Sequence, residues 1–321
     1  MRGKACSNDQ TTVDHWRDKW IGNITENKKR FGEFSDFSVG SHYRKYEHKP
    51  CIVAGSGPSL KHNAAELANR GDIPLVSCLH NFHYFEDLDL QPEYYCTLDC
   101  QKVTIEEVTE GGTKDTEWYW DRTEDRTLVA YVGSDPELLE KWKGEILLFN
   151  APLPDQSLNV EVDAIEKFYA GISSGGNVLG TCTYLAKAIL GCYTTIFVGA
   201  DFSFGYPDID GDTATHRFHS WKSKYDKEMG KTIRVTDVFG NKVHTWPSYY
   251  NFKNFFDWLS LTVPGDYWNC SEGGCMGAYP EGNLASFHYL SLVDAIKKLN
   301  MHLEIEECMT DPKCDSPKIL Y

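Results

Sequence analysis

Asp201 and Asp99 each close a short apolar run, TTIFVGAD at 194–201 and YYCTLD at 94–99. In open α/β sheets ligands sit outside the carboxyl ends of the strands, so both carboxylates stand where chemistry is usually done. Asp201 is read as catalytic. Asp99 can hold a ribose or a metal, or it can cap the next helix, and either aspartate can share an Mg²⁺ with a substrate phosphate. Ahead of Asp201 lies GISSGGN at 171–177. Ser173, Ser174, Gly175, Gly176 and Asn177 form a loop able to aim several backbone N–H groups at one point. The helix expected to follow adds its unpaired first-turn donors and the positive end of its dipole. Such a cradle suits an anion.

A second glycine turn, GSGPSL at 55–60, follows CIVA at 51–54 directly. Gly55 and Gly57 permit a tight turn, Pro58 suits the first helical position, and Ser56 and Ser59 offer hydroxyls to a phosphate or ribose. This is not the dinucleotide fingerprint, because the third glycine of GxGxxG is absent and no P-loop lysine follows. A purely structural strand-to-helix turn is the alternative. Asn81, just past a strand end in HNFHYFE at 80–86, can pair with a base or ribose, while the aromatics around it suit a core or a stacking wall. His216, in the polar stretch after Asp201, is the candidate general base, since an imidazole needs no tuning to accept a proton near neutral pH. Asp208, Asp210 and Asp212 in the same stretch lack the glycine and glutamate placement of a calcium loop. A nucleotide reading requires the two glycine turns, over a hundred residues apart, to converge on one phosphate.

The elements that must position these residues alternate. Strands are expected at 51–54, 74–78, 94–98, 128–132, 146–150 and 194–198, with helices between several of them and no internal repeat. That is the pattern of an α/β, Rossmann-like, doubly wound and mostly parallel sheet. Residues 1–49 form an N-terminal extension with a helix over 12–30, and 50–306 the main domain, ending in a helix over 287–299 and a strand over 303–305. The main domain includes an exposed insertion at about 105–125 and a hairpin and helical cap at about 206–285, and the hairpin turns at Gly240-Asn241. Residues 307–321 read as a tail.

The chain has 321 residues, 41% hydrophobic and 25% charged, enough for a sizeable core. No apolar run spans a membrane and no signal-peptide pattern opens the chain, so a cytoplasmic location is expected. Eleven cysteines, an odd number and several inside apolar runs, read as reduced core thiols. A formal net charge of −15 argues against a broad nucleic-acid footprint but not against a small anion held by backbone amides. Oligomeric state is not legible.

In this order GSGPSL, YYCTLD at 94–99, GGNVLGTCTYLAKAILGC leading into IFVGADFSF, and His216 resemble the MptE-like family. That family includes archaeal 6-hydroxymethylpterin diphosphokinases and the catalytic domain of the Maf flagellin glycosyltransferases. DVFGNKVHT at 237–245 and NCSEGG at 269–274 are similar to the Maf branch in particular, and the resemblance covers roughly residues 50–290. A second likeness, through GSGPSL, NFHYFE, ISSG at 172–175 and GADF at 199–202, is to bacterial sialyltransferases that use a CMP-sugar. It implies nucleotide contacts from Ser56, Gly57, Asn81, Ser173, Ser174 and Gly175, and a histidine base. The chain departs from that family in carrying Ser56 where an asparagine is usual, and it has no clear copy of the segment with their histidine. Together the resemblances imply a transferase. Glycosyl transfer from a CMP- or UDP-linked sugar to a small-molecule or glycan acceptor is favoured over ATP-dependent diphosphoryl transfer with Mg²⁺, and a non-catalytic nucleotide-binding module is the third reading.

Overall fold

Short runs of β-branched and aromatic residues build the sheet, in a computed structural model that describes residues 6–151, 155–167, 171–204 and 232–300. The strands are β1 Cys51–Ala54, β2 Leu75–Cys78, β3 Tyr94–Thr97, β4 Thr127–Tyr131, β5 Glu145–Phe149, β6 Thr194–Val198, β7 Ile233–Thr236, β8 Lys242–Thr245, β9 Asp266–Asn269 and β10 His288–Tyr289. Eight of them form one sheet in the order β10-β9-β6-β1-β2-β3-β4-β5, every pair parallel. The chain therefore walks outward from β1 to β5, then returns to β6 on the other side of β1. That reversal makes the sheet doubly wound, and the crevice between β1 and β6 is its topological switch point. β1, β2 and β3 are buried along their whole length, as expected of parallel strands covered on both faces. The fold is thus α/β, with an N-terminal helix.

The helices are α1 Cys6–Phe31, α2 Leu60–Asn63, α3 Phe82–Asp87, α4 Val103–Glu107, α5 Thr116–Arg122, α6 Pro136–Lys141, α7 Gln156–Ile165, α8 Val178–Tyr184, α9 Pro247–Thr262 and α10 over 292–300. α1 docks through two asparagines one turn apart. Asn23 donates to the carbonyls of Cys100 and Gly133, and Asn27 to those of Val132 and Ser134, so the helix covers the exits of β3 and β4. Gly32, at φ 70°, ends α1 and returns its N–H to Lys28. α8 runs on into a π-helical turn, Leu185–Ile189, and stops at Gly191, at φ 80°.

Three expectations differ from the structure. Residues 105–125 are not a simple exposed insertion but the crossover from β3 to β4, in which Val108, Tyr119 and Trp120 are buried while most of the charges are exposed. The region expected as a cap over 206–285 contributes β9 to the main sheet, where it pairs with β6. β7 and β8 do form the expected antiparallel hairpin, closed by the Asp237 side chain accepting from Phe239 and Asn241. The helix expected over 287–299 begins only at 292, after the short strand β10. His216, the three aspartates before it, the strand expected at 303–305 and the tail lie outside the described residues.

No described helix is long and apolar enough to cross a membrane. Cys51, Cys78, Cys96, Cys100, Cys182, Cys192, Cys270 and Cys275 are buried and form no disulfide.

α3 is pinned to the sheet by a buried ion pair. Arg126, just before β4, donates from Nε and Nη2 to the two carboxylate oxygens of Glu86 at 2.8 and 2.9 Å. Breaking one side of such a pair strands the other charge. Glu86→Gln is therefore expected to cost about 3–5 kcal/mol of folding free energy in urea titrations. A loss within experimental error would show that the pair does not hold α3.

Candidate functional site

A cavity of about 350 Å³ opens at the carboxyl ends of β1, β2, β3 and β6, at the switch point. Its base is the close approach of two strand exits. Gly57 N–H donates to Gly199 O at 2.8 Å, and Gly55 N–H to Val198 O at 2.9 Å. A Cβ on Gly55 would stand 2.5 Å from Gly199 O, and one on Gly57 would overlap the Asp201 carboxylate. The glycines of GSGP are thus required first by β6, and two of the amides expected to hold a phosphate are already committed to its carbonyls.

Asp201 is nearly fully buried, and its Oδ2 accepts the Ser59 hydroxyl at 2.7 Å. Its carbonyl accepts from Cys275 N, while Ser271 Oγ accepts from Ala200 N. A Cβ on Gly274 would fall 2.3 Å from Asp201 Cα, so the NCSEGG loop is a buttress beneath β6. Asn81 is buried as well, with its amide donating to Gly55 O and Ser77 Oγ and its carbonyl accepting the Ser56 hydroxyl. This asparagine fixes the turn from behind.

The second glycine loop meets the cavity through its end. Asn177, Val178 and Leu179 line it, whereas Ser173, Ser174, Gly175 and Gly176 do not. Ser174 instead shapes the loop, its Oγ accepting from Gly176 N and its carbonyl from Asn177 N. Asn177 caps α8, with Oδ1 accepting from Gly180 N at 2.9 Å. The two turns reach one cavity, the second through Asn177 and the start of α8 rather than through its serines and glycines. Among the described residues, the amides of Ser56, Val178 and Leu179 belong to the lining and have no hydrogen-bond acceptor. Uncommitted first-turn amides are what makes a helix start receptive to an anion.

Acidic and imidazole groups complete the opposite side. Asp99 lines the cavity with Oδ1 accepting from Gln101 N at 2.9 Å. His80 and Glu107 line it too, Nδ1 of the histidine lying 3.3 Å from Oε1 of the glutamate. The Glu107 carbonyl lies 3.2 Å from His83 Nδ1, which ties α4 to the exit of β2. Burial pushes the Asp99 carboxyl above its ordinary value, and the Glu107 charge adds to the rise against the lowering hydrogen bonds from Gln101. No group of three or more His, Cys, Asp or Glu among the described residues is arranged to hold a metal ion. Asp99, Asp201 and Glu107 are the lining carboxylates, and any one or two of them could share an Mg²⁺ with a substrate phosphate, since that ion needs only one or two protein carboxylates.

Sequence reasoning missed His80, Glu107, Tyr249 and Phe252 in this lining. Glu107 sat in a stretch read as exposed, and nothing in the local pattern of α9 tells which of its many aromatics meet a cavity.

Residues 18–207, more than half of the chain, match the family described as 6-hydroxymethylpterin diphosphokinase MptE-like, and the chain belongs to that family. Its fold is similar to the solved structure of a Maf glycosyltransferase from Magnetospirillum magneticum AMB-1, with a TM-score of 0.57 and 16% identity over 90% of this chain. The chain spans 42% of that protein's length. No curated protein matches the sequence.

The raised Asp99 carboxyl has a consequence for stability. Folding strengthens its hold on the proton, so the unfolded chain releases the proton first. The folded state therefore loses relative stability as pH climbs through the interval between the two values. Asp99→Asn is expected to raise the melting temperature at pH 7, with the gain shrinking as pH falls towards about 4, the ordinary aspartate value. A destabilised variant, or a gain independent of pH, would contradict this account.

Proposed function

We propose that the chain is a nucleotide-dependent transferase and that it moves a sugar from a CMP- or UDP-linked donor to an acceptor hydroxyl. The observation that carries this reading is the pairing, in one cavity, of uncommitted backbone amides from both glycine turns with a proton-accepting side formed by His80, Asp99 and Glu107. In glycosyl transfer the bond between the anomeric carbon and the donor phosphate breaks, and the phosphate leaves with the electron pair. Amides fixed in place stabilise that departing charge without reorganising. The acceptor oxygen forms the new bond to the anomeric carbon, and its proton passes to a base. His216 is the sequence's candidate for that base, and His80 is the histidine of the described lining. The similarity of fold to a Maf glycosyltransferase over 90% of the chain extends beyond the family match at 18–207 and supports the same choice.

The family description favours a second reading, diphosphate transfer from ATP to a hydroxymethylpterin. Charge there builds on phosphoryl oxygens, and Mg²⁺ supplies the main stabilisation when bound. The two readings separate in one assay of the purified chain. Release of CMP or UDP that needs an acceptor and persists in EDTA is the expected result. AMP formed from ATP and a hydroxymethylpterin, and abolished by EDTA, would replace the glycosyl reading with the other. Tight nucleotide binding with no turnover of either kind would overturn both and leave a binding module.

A further inference from the structure

The α9 helix brings an aromatic wall to the cavity that neither glycine turn requires. Tyr249 and Phe252, three residues apart, both belong to the lining, with ring centroids 6.3 Å apart and planes inclined by 34°. Trp246 meets Tyr249 at 5.2 Å in an edge contact that fixes its orientation. The helix does not need these two rings for its own packing. Phe256 and Leu259 carry its buried apolar side, whereas Tyr249 and Phe252 are only half-buried.

Two glycines let the wall close against the anion-receptive loop. Phe252 lies over Gly176, where a Cβ would come within 3.3 Å of its ring, and Phe255 lies over Gly175, where the gap would be 2.5 Å. Both glycines have positive φ, at 59° and 85°. The first turn of α8 and the aromatic wall are therefore neighbours. The strand exits contribute Gly55, Gly57, Gly199 and Ala200 to the lining, which leaves room for a flat body rather than filling it. A cavity of about 350 Å³ is within the range of small-ligand sites, which run from about 300 to 1,000 Å³.

We propose that Tyr249 and Phe252 stack a planar heteroaromatic ring of the ligand while the amides of Ser56, Val178 and Leu179 take its phosphate. The proposal rests on the reading of the cavity as a nucleotide site and adds a specificity element to it. A nucleotide supplies both required parts, a flat π-face beside an anionic phosphate, while 6-hydroxymethylpterin supplies the π-face and gains phosphate only on diphosphorylation.

Calorimetric binding of CMP, AMP, 6-hydroxymethylpterin and ribose 5-phosphate to the whole chain tests it. Wild type should bind at least one planar probe, and the identity of that probe tells nucleobase from pterin. Phe252→Leu and Tyr249→Leu keep apolar bulk but remove the π-face. Each should weaken the planar probe by about 5- to 150-fold, the range that one stacked base is worth, while ribose 5-phosphate binds as before. Variants that bind the planar probe as well as wild type, or that lose ribose 5-phosphate in equal measure, would overturn the stacking role. Wild type that binds ribose 5-phosphate but no planar probe would overturn it too, with the phosphate site intact. Binding of none of the four would sink the nucleotide reading itself.

Discussion

The contact between the β1 and β6 exits is the constraint on which the rest of the molecule depends. Gly57 donates to Gly199 O, and Gly199, at φ 60°, lies so near Gly55 that a Cβ would stand 2.6 Å from its carbonyl oxygen. Only glycine can occupy these positions without moving one strand. Because β1 and β6 are also the strands between which the chain reverses direction, this tight seam sets the floor of the crevice where α/β sheets place their ligands. Asp201 and Ser59 lock the seam from below, and Asn81 locks it from behind. Residues that look like ligand groups in sequence thus hold the strands so that a few amides remain uncommitted.

The main features of the fold were legible in the sequence because parallel strands have a simple signature. CIVA and TTIFV are short, apolar and β-branched, and each runs into a glycine that must adopt an unusual backbone or allow close approach. Gly191, at φ 80°, likewise ends the α8 region. β9 was not legible. Its sequence, DYWN, has neither alternation nor a run of branched residues, and it becomes a strand only because β6 offers an edge. The crossover over 105–125 was misread because charge dominates its composition, while a few residues such as Tyr119 and Val108 decide its burial.

The site was legible in position more than in role. Both glycine turns, Asp99 and Asp201 do reach one cavity, yet Ser174 shapes its own loop, Asn81 holds the Gly55 carbonyl, and Asp201 accepts the Ser59 hydroxyl. Hydroxyls and amides next to a glycine turn have two possible partners, a ligand or the turn itself. Sequence spacing does not distinguish the two, whereas burial and hydrogen bonding do. The same applies to α9, where five aromatics fall between 249 and 256 and only their three-dimensional placement separates Phe256 in the core from Phe252 at the cavity.

The cavity brings backbone donors together with acidic and imidazole groups. On the proposed reading, amides and a helix start would meet the developing negative charge, and a partly buried carboxyl with a histidine-glutamate pair would meet the proton to be moved. The overall negative charge of the chain bears little on this, since the donors are backbone dipoles held in place by the seam. The most direct test of the account is a crystal structure of the chain with CMP. The phosphate should lie within hydrogen-bonding distance of the Ser56 and Val178 amides, above the Gly57–Gly199 contact. A phosphate bound elsewhere, with that crevice empty, would contradict it.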